Sequence, residues 1–454
     1  MVSFRYLFLS VLLVATGAQA LESVPKAEYH QRRIALADKL KGGSALVFAG
    51  EEPLLDFMPY RQDSDFYYLS GWNEPGAALL VIGPGSETKT RLGAVVPAHG
   101  YREMLFLPTR NLVMEKYTGT KMDTATPGAA QETGFDAVMP MTALPEVLSA
   151  FVSEDARRSL SIYSQTDVPA AKASIAFVAA SLGTGTLPSE NDVRMLVRDL
   201  RTVKSPAEIE LIRKATNASI DAQVAGMKAI KPGVRERTVA AIEIEKMMEE
   251  GCERPSYAAI VGSGINSTTL HYSSNESLMK DGDVVVIDEA GEYSMYASDL
   301  TRTMPVGGHF TARQQEIYDI VLGSQRAAAA AFVAGKMKLG NVSQRGPEVK
   351  DTLDKVAFDY INTHGKDLYG EPLGKYFLHG LGHSVGIDVH DPMDYTKALD
   401  KGMVFTIEPG VYIPEEKIGV RIEDVFYVDA DGKLVNFGEK LPHEAKDVES
   451  VMRK

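Results

Sequence analysis

Four acidic residues stand at the ends of, or inside, short apolar runs. Val284-Val285-Val286-Ile287 leads into Asp288, Tyr296-Ala297-Ser298 into Asp299, Val404-Phe405-Thr406-Ile407 into Glu408, and Gly419-Val420-Arg421-Ile422 into Glu423. Runs of this length, rich in β-branched and aromatic residues, read as strands. If the first two form a hairpin, Asp288 and Asp299 oppose each other on one face. Adjacent carboxylates repel unless a proton or cation lies between them. Taken singly, each Asp is better read as a turn cap. Period-two alternation places Arg421 and Glu423 on one face and Val420 and Ile422 on the other, so a plain Arg421–Glu423 ion pair also accounts for that strand.

Three of the nine histidines fall between His379 and His390, in His379-Gly380-Leu381-Gly382-His383 and Asp388-Val389-His390. The spacing of His379 and His383 matches the two histidines of the helical zinc motif H-E-x-x-H. Intervening glycines disfavour a helix, however, and no Glu follows His379. A glycine-rich loop that brings imidazoles to a backbone-lined pocket fits better. Four buried carboxylates with one divalent cation would stay strongly anionic, whereas two cations nearly neutralise them. Oxygen-rich ligation with one imidazole favours Mn²⁺ or a similar borderline-hard ion. Two such cations activate water and stabilise a developing oxyanion, which is metal-assisted hydrolysis. The single cysteine, Cys252, excludes an internal disulfide and a thiolate zinc site, and reads as a small buried hydrophobe.

The elements that must hold these residues follow from the rest of the 454-residue chain. Hydrophobic residues at 44% and charged residues at 24% exclude a disordered, collagen-like or polytopic membrane protein. A formal charge of −13 repels phosphate backbones, so nucleic acid is not an expected partner. Met1–Ala20 has one cation, Arg5, an apolar stretch from Tyr6 to Ala15, and Ala18-Gln19-Ala20 at its end. That pattern is a secretory signal peptide, predicting an exported protein, periplasmic or secreted, with no membrane association after cleavage. Residues 25–190 read as an α/β domain with a helix over Gln31–Leu40 and strands at Ser44–Phe48, Ala77–Ile82 and Arg91–Pro97. Pro206 is placed to start a helix after Ser205, and a second domain, α+β in class, is expected over residues 205–446. From about Asp447 the chain reads as a charged, solvated tail. His30, His99, His309, His364 and His443 have no acid partner legible in the sequence and read as structural or exposed.

His271-Tyr272, Ile287-Asp288, Ser298-Asp299-Leu300-Thr301-Arg302-Thr303, the His379–His383 loop, Asp388-Val389-His390-Asp391, Ile407-Glu408-Pro409-Gly410 and Arg421-Ile422-Glu423-Asp424 together resemble the pita-bread metallopeptidases. The branch resembled is that of aminopeptidase P and prolidase. Tyr60–Leu69 and Gly71–Gly76 likewise resemble the aminopeptidase P N-terminal domain, a mixed-sheet α/β unit. The resemblance implies a pita-bread catalytic domain and a Xaa-Pro aminopeptidase. In it, Asp288, Asp299, His383, Glu408 and Glu423 ligate two divalent ions, Mn²⁺ the favoured one, and Glu408 shuttles the proton of the attacking water. It further implies that His271 and His390 position the scissile carbonyl and departing proline nitrogen, that His379 lines the proline pocket, and that Arg421 orients Glu423 and the substrate carbonyl region. Trp72 is either core or an aromatic reaching another subunit of a dimer or tetramer. Two departures stand out. The family's glycine two residues after the first ligand Asp is replaced in Asp288-Glu289-Ala290-Gly291, which bears on the strand end or on the nearby amine-binding side while keeping the family's spacing to Asp299, and Tyr117-Thr118-Gly119-Thr120-Lys121 lacks an arginine common there. The alternative activity is that of a prolidase, restricted to Xaa-Pro dipeptides. Methionine aminopeptidases share the catalytic fold but lack the N-terminal domain, and a metal-free binding protein is disfavoured because all five ligand positions are intact.

Overall fold

A computed structural model describes residues 22–52, 59–86, 88–89, 95–96, 98–155, 161–181 and 189–453. The segment Met1–Ala20 and most of Arg91–Pro97 lie outside these. The first domain begins with helix α1 (Lys26–Lys39) and strand β1 (Ser44–Phe48), followed by α2 (Ser64–Ser70), β2 (Ala78–Ile82), β3 (Arg102–Leu107) and β4 (Val138–Pro140). It continues through helix α3 (Leu144–Asp155), β5 (Ser161–Ser164), α4 (Pro169–Ser181) and β6 (Ser189–Asp192). The strands form one mixed sheet in the order β4-β3-β2-β1-β5-β6, antiparallel at β1–β2 and β2–β3 and parallel elsewhere. Every residue of β1 and β2 is buried because both faces of the sheet are covered. Alternation divides them. Leu46, Phe48, Leu80 and Ile82 pack with Leu144, Leu148 and Ile175 of α3 and α4, while Val47, Leu79 and Val81 face α1 and α2. Gly71 closes α2 at φ 65°, and a Cβ there would meet the Tyr29 ring at 2.4 Å.

The second domain is entered through α5 (Arg194–Arg201). Ser205 then forms a capping box with Glu208, and Pro206 opens α6 (Pro206–Ala229), as the sequence predicts. Glu208 is buried and also meets Arg32 Nη2 of α1 at 3.3 Å and the Tyr296 hydroxyl at 3.1 Å. Helices α7 (Glu236–Glu249), α8 (Ala312–Ala331), α9 (Leu353–His364) and α10 (Ala445–Met452) surround small antiparallel sheets, three of which carry the clustered acids. The first is β7 (Ile260–Ser263), β8 (Val284–Asp288) and β9 (Thr301–Pro305). The second pairs β10 (Val404–Ile407) with β13 (Asp424–Val428), and the third pairs β11 (Gly410–Ile413) with β12 (Ile418–Arg421). Bridges between Thr301 and Glu423 and between Ser384 and Phe405 join them to one another and to the histidine loop.

Several expectations need correction. Tyr296–Met304 is not one strand: Tyr296–Ala297 pairs with Gly291–Tyr293 in a tight turn through Ser294 and Met295, both at positive φ, before β9 starts. Asp288 therefore registers with Thr301 and not with Asp299. At the end of β8, Asp288 has ladder partners on both sides, Ile260 and Thr301. The C-terminal residues are not a solvated tail, because Ala445 and Val448 of α10 join the core of the second domain. His30, His309 and His443 do have acid partners, Glu103 at 3.1 Å, Glu449 at 3.2 Å and Asp424 at 2.8 Å, all distant in sequence.

Candidate metal centre

Where the three small sheets converge, a cavity of about 590 Å³ opens. His271, Asp288, Asp299, His379, His383, His390, Glu408, Arg421 and Glu423 all line it, so the structure brings every site residue read from the sequence to one place. Each sheet contributes at its end. β8 delivers Asp288, the turn before β9 delivers Asp299, β10 leads into Glu408, and β12 leads through Arg421 to Glu423. The imidazoles come from loops. Gly382 allows the His383 loop to press on β10, with His383 N–H donating to Thr406 Oγ1 at 3.0 Å.

The acids are short of protons. The Tyr257 hydroxyl lies 2.7 Å from Asp288 Oδ1 and 2.6 Å from Asp299 Oδ1, yet has one proton to donate. His383 Nε2 is 3.3 Å from both Asp299 Oδ2 and Glu408 Oε1. Glu423 Oε2 accepts from Thr301 Oγ1 at 2.6 Å, while its Oε1 is buried without a partner. Burial, reinforced by the neighbouring carboxylates, raises Asp299 and Glu423 above the ordinary range and pushes Glu408 up to about 7. Burial would pull His383 down, but its hydrogen bond to Asp299 and the charges of Glu408 and Asp299 outweigh it and lift His383 to about 9. Desolvation lowers His379 to about 3, with Arg421 adding to the effect, and lowers His390 to about 4, with His383 adding. Both are neutral imidazoles near pH 7.

Ligand atoms of Asp299, His383 and Glu423 lie within 4.8 Å of one another. Clustered buried carboxylates, one imidazole and an orphaned carboxylate oxygen fit hard or borderline divalent cations. The plain Arg421–Glu423 ion pair that could also account for this strand is not formed. Arg421 Nη2 donates instead to Asp288 Oδ2 at 2.6 Å, and its Nε reaches Thr301 Oγ1, the hydroxyl that in turn donates to Glu423.

Sequence reasoning missed Tyr257, Tyr412, Thr301 and Thr406. Tyr412 joins His379 Nε2 and Arg421 Nη1, both at 2.8 Å. Its place beside Arg421, on paired β11 and β12, is the one sequence signal that could have pointed to it. Trp72 is half-buried against the N-terminal core, and Cys252 is buried beside Met247, where desolvation raises its thiol to about 12. Glu289 points away from the cavity and is fully buried.

A model of metallopeptidase family M24 matches residues 210–430, and one of the aminopeptidase P N-terminal domain matches residues 29–161. The chain is 32% identical to the Xaa-Pro aminopeptidase of Escherichia coli (strain K12), over 95% of this chain and 99% of that protein. It is 39% identical to the Xaa-Pro dipeptidase of Pyrococcus furiosus, over 52% of this chain and 63% of that protein. A solved substrate complex of E. coli aminopeptidase P superposes with a TM-score of 0.81 at 30% identity, covering 95% of this chain and 99% of that one. The chain belongs to the M24 metallopeptidases, in the branch that carries the aminopeptidase P N-terminal domain.

Proposed function

We infer that the chain is a metal-dependent Xaa-Pro aminopeptidase, releasing the first residue of peptides whose second residue is proline. The observation that carries this reading is one cavity lined by all nine expected residues, in a chain that matches an aminopeptidase P along almost its whole length. The dipeptidase match covers about half of the chain, which makes prolidase the second reading.

Asp288, Asp299, His383, Glu408 and Glu423 would hold two divalent ions, Mn²⁺ the favoured one. When bound, they supply an activated water and stabilisation of the tetrahedral oxyanion. The chain's own residues do the rest. Glu408, whose Oε1 lies 3.3 Å from His383 Nε2 in the ligand cluster, would take a proton from the water and return it to the leaving nitrogen. His271 and His390 would hold the scissile carbonyl and the departing imide nitrogen, His390 as a neutral imidazole with a ring nitrogen for that contact. His379 has both ring nitrogens engaged, by Gly380 O and the Tyr412 hydroxyl, so it offers the proline ring an apolar wall. Arg421 holds Asp288 directly and Glu423 through Thr301, leaving the carboxylates aimed.

We further propose domains at residues 25–190 and 205–446, the second carried on by α10 to Met452, export directed by Met1–Ala20, and assembly as a dimer or tetramer. N-terminal sequencing that starts at Leu21 and light scattering at two to four chains per particle are the expected results. The activity is tested on chelator-stripped protein reloaded with Mn²⁺ and given Arg-Pro-Pro, Gly-Pro and Gly-Ala-Ala, with product masses read out. Metal-dependent release of Arg from Arg-Pro-Pro is expected. Cleavage of Gly-Pro alone would move the assignment to prolidase, and no cleavage with any metal would refute both.

A further inference from the structure

His383 and His390 stand on a loop, His379 to Asp391, that contains no helix or strand. Isolated bridges from Ser384 to Phe405 and Asp391 tie down part of it. The stretch carrying His390 is held from outside the catalytic domain. Asp391 is buried, and its Oδ1 and Oδ2 take Arg201 Nη2 at 2.5 Å and Lys204 Nζ at 3.2 Å. Asp388 takes Arg201 Nη2 at 2.7 Å and the Ser64 hydroxyl at 2.6 Å. Arg61 Nη2 donates to Ile387 O at 2.8 Å, its Nη1 to Ser64 Oγ at 3.0 Å, and its Nε to Glu292 at 2.9 Å. Arg201 is anchored on the N-terminal domain by Asp65 at 2.7 Å, and Lys204 also donates to Ser384 Oγ, the neighbour of His383.

Arg61, Ser64 and Asp65 belong to the N-terminal domain, and Arg201 and Lys204 to the segment joining the two. The acids they engage flank His390 on both sides. We propose that these contacts form a positioning clamp, through which the N-terminal domain fixes the location of His390 over the scissile bond. The domain then acts on turnover itself as well as on access. The inference rests on the reading in which His390 touches the peptide.

Charge compensation explains why the clamp is rigid. Three carboxylates surround one guanidinium that is 3% exposed, and removing Arg201 would leave the buried Asp65 and Asp391 short of their shared cation. In keeping with this, the cations Arg201 and Lys204 outweigh the burial of Asp391 and hold its carboxyl below the ordinary range. A displacement of His390 by about 1 Å is enough to slow turnover by up to about 100-fold.

The test uses the full-length, metal-loaded enzyme and Arg-Pro-Pro. Arg201 is too buried to be the first target. Arg61→Gln is gentler, because Arg254 keeps Glu292 paired at 2.7 Å, and Ser64→Ala removes one hydroxyl. Both variants should fold as wild type, with kcat lower by about tenfold in R61Q and KM within about twofold. The discriminating readout is a double-mutant cycle with His390→Ala. If the clamp acts through His390, R61Q slows the wild-type enzyme and has no further effect on H390A. An equal loss in both backgrounds, or no loss in either single clamp variant, would overturn the proposal. Should H390A turn over too slowly to measure, the His390 ring resonance in Zn²⁺-loaded protein decides. It shifts in R61Q if the clamp positions the ring, and an unmoved resonance overturns the idea. Unchanged kcat and KM in H390A would instead remove the substrate-contact role of His390 on which the clamp rests, while leaving the peptidase assignment standing.

Discussion

Gly382 precedes the imidazole ligand, and replacing it with Ala tests whether the backbone approach there fixes the metal centre. A Cβ on Gly382 would lie 2.1 Å from Thr406 O and 2.7 Å from Thr406 Oγ1. Ordinary non-bonded separations are roughly 3.5 Å, so loop and strand must part by about 1 Å. The displaced contacts are those that place two ligands. His383 N–H donates to Thr406 Oγ1 at 3.0 Å, Thr406 N–H to His383 O at 2.8 Å, and Thr406 Oγ1 to Glu408 at 3.1 Å. Overpacking of this kind costs about 1–3 kcal/mol of stability. Metal geometry tolerates roughly 0.2 Å, so affinity for the divalent ion should fall by about 10–100-fold and kcat/KM by about 100-fold. The assay is a Mn²⁺ titration of stripped protein followed by peptide hydrolysis, alongside a thermal melt. Gly380→Ala is the control for the metal titration and the melt: its Cβ would meet nothing nearer than Asn341 Cα at 4.0 Å, so metal affinity and stability should stay as in wild type. Wild-type metal affinity and turnover in G382A would refute the argument that this contact positions His383.

Other predictions follow from the same contacts. Asp299→Ala should abolish metal-dependent turnover while preserving the circular dichroism spectrum, and full activity in that variant would sink the two-metal site. Arg302 is fully buried, donates to Asp424 Oδ1 at 2.7 Å and to Glu423 O at 2.8 Å, and its replacement by Met should cost about 3–5 kcal/mol in urea unfolding. Burial raises Asp424 and Asp391, but Arg302 with His443, and Arg201 with Lys204, outweigh it and lower both folded carboxyls below 3.8. The native state then binds fewer protons than the unfolded chain, so this stability is present above about pH 4 and lost as pH falls further, read as a urea midpoint lower at pH 3 than at pH 6. Without metal, His383 near 9 and Glu408 near 7 retain protons at pH 7, so Mn²⁺ loading should release protons into weak buffer, and less so in H383A.

What was legible in the sequence was what is local. An apolar run ending in Asp288 announced a buried strand with an acid at its tip, and Pro206 after Ser205 announced a helix start because its fixed φ suits the first helical turn, whereas the capping partner Glu208 went unread. The glycines of the His379–His383 segment correctly spoke against a helix. Partners across the fold were not legible. Nothing near His443 or His30 signals Asp424 or Glu103, and Tyr257 carries no pattern that marks it as the hydroxyl between two ligand acids. The hairpin expectation for Asp288 and Asp299 failed because Ser294 and Met295 insert a turn that alternation does not encode. At Ala445–Met452 the charges at Asp447 and Glu449 hid an apolar face too short to show a period.

Glu208 belongs to the catalytic domain's first helix, yet its buried carboxylate is met by Arg32 from the opening helix of the chain. The two halves are therefore not exchangeable parts. A chimera that takes its first domain from a relative must bring an arginine to that spot, or the recipient helix begins with a stranded charge. Inheritance acts on the pair as one unit, and a recombination breakpoint placed between them should be tolerated only when both sides come from the same ancestor.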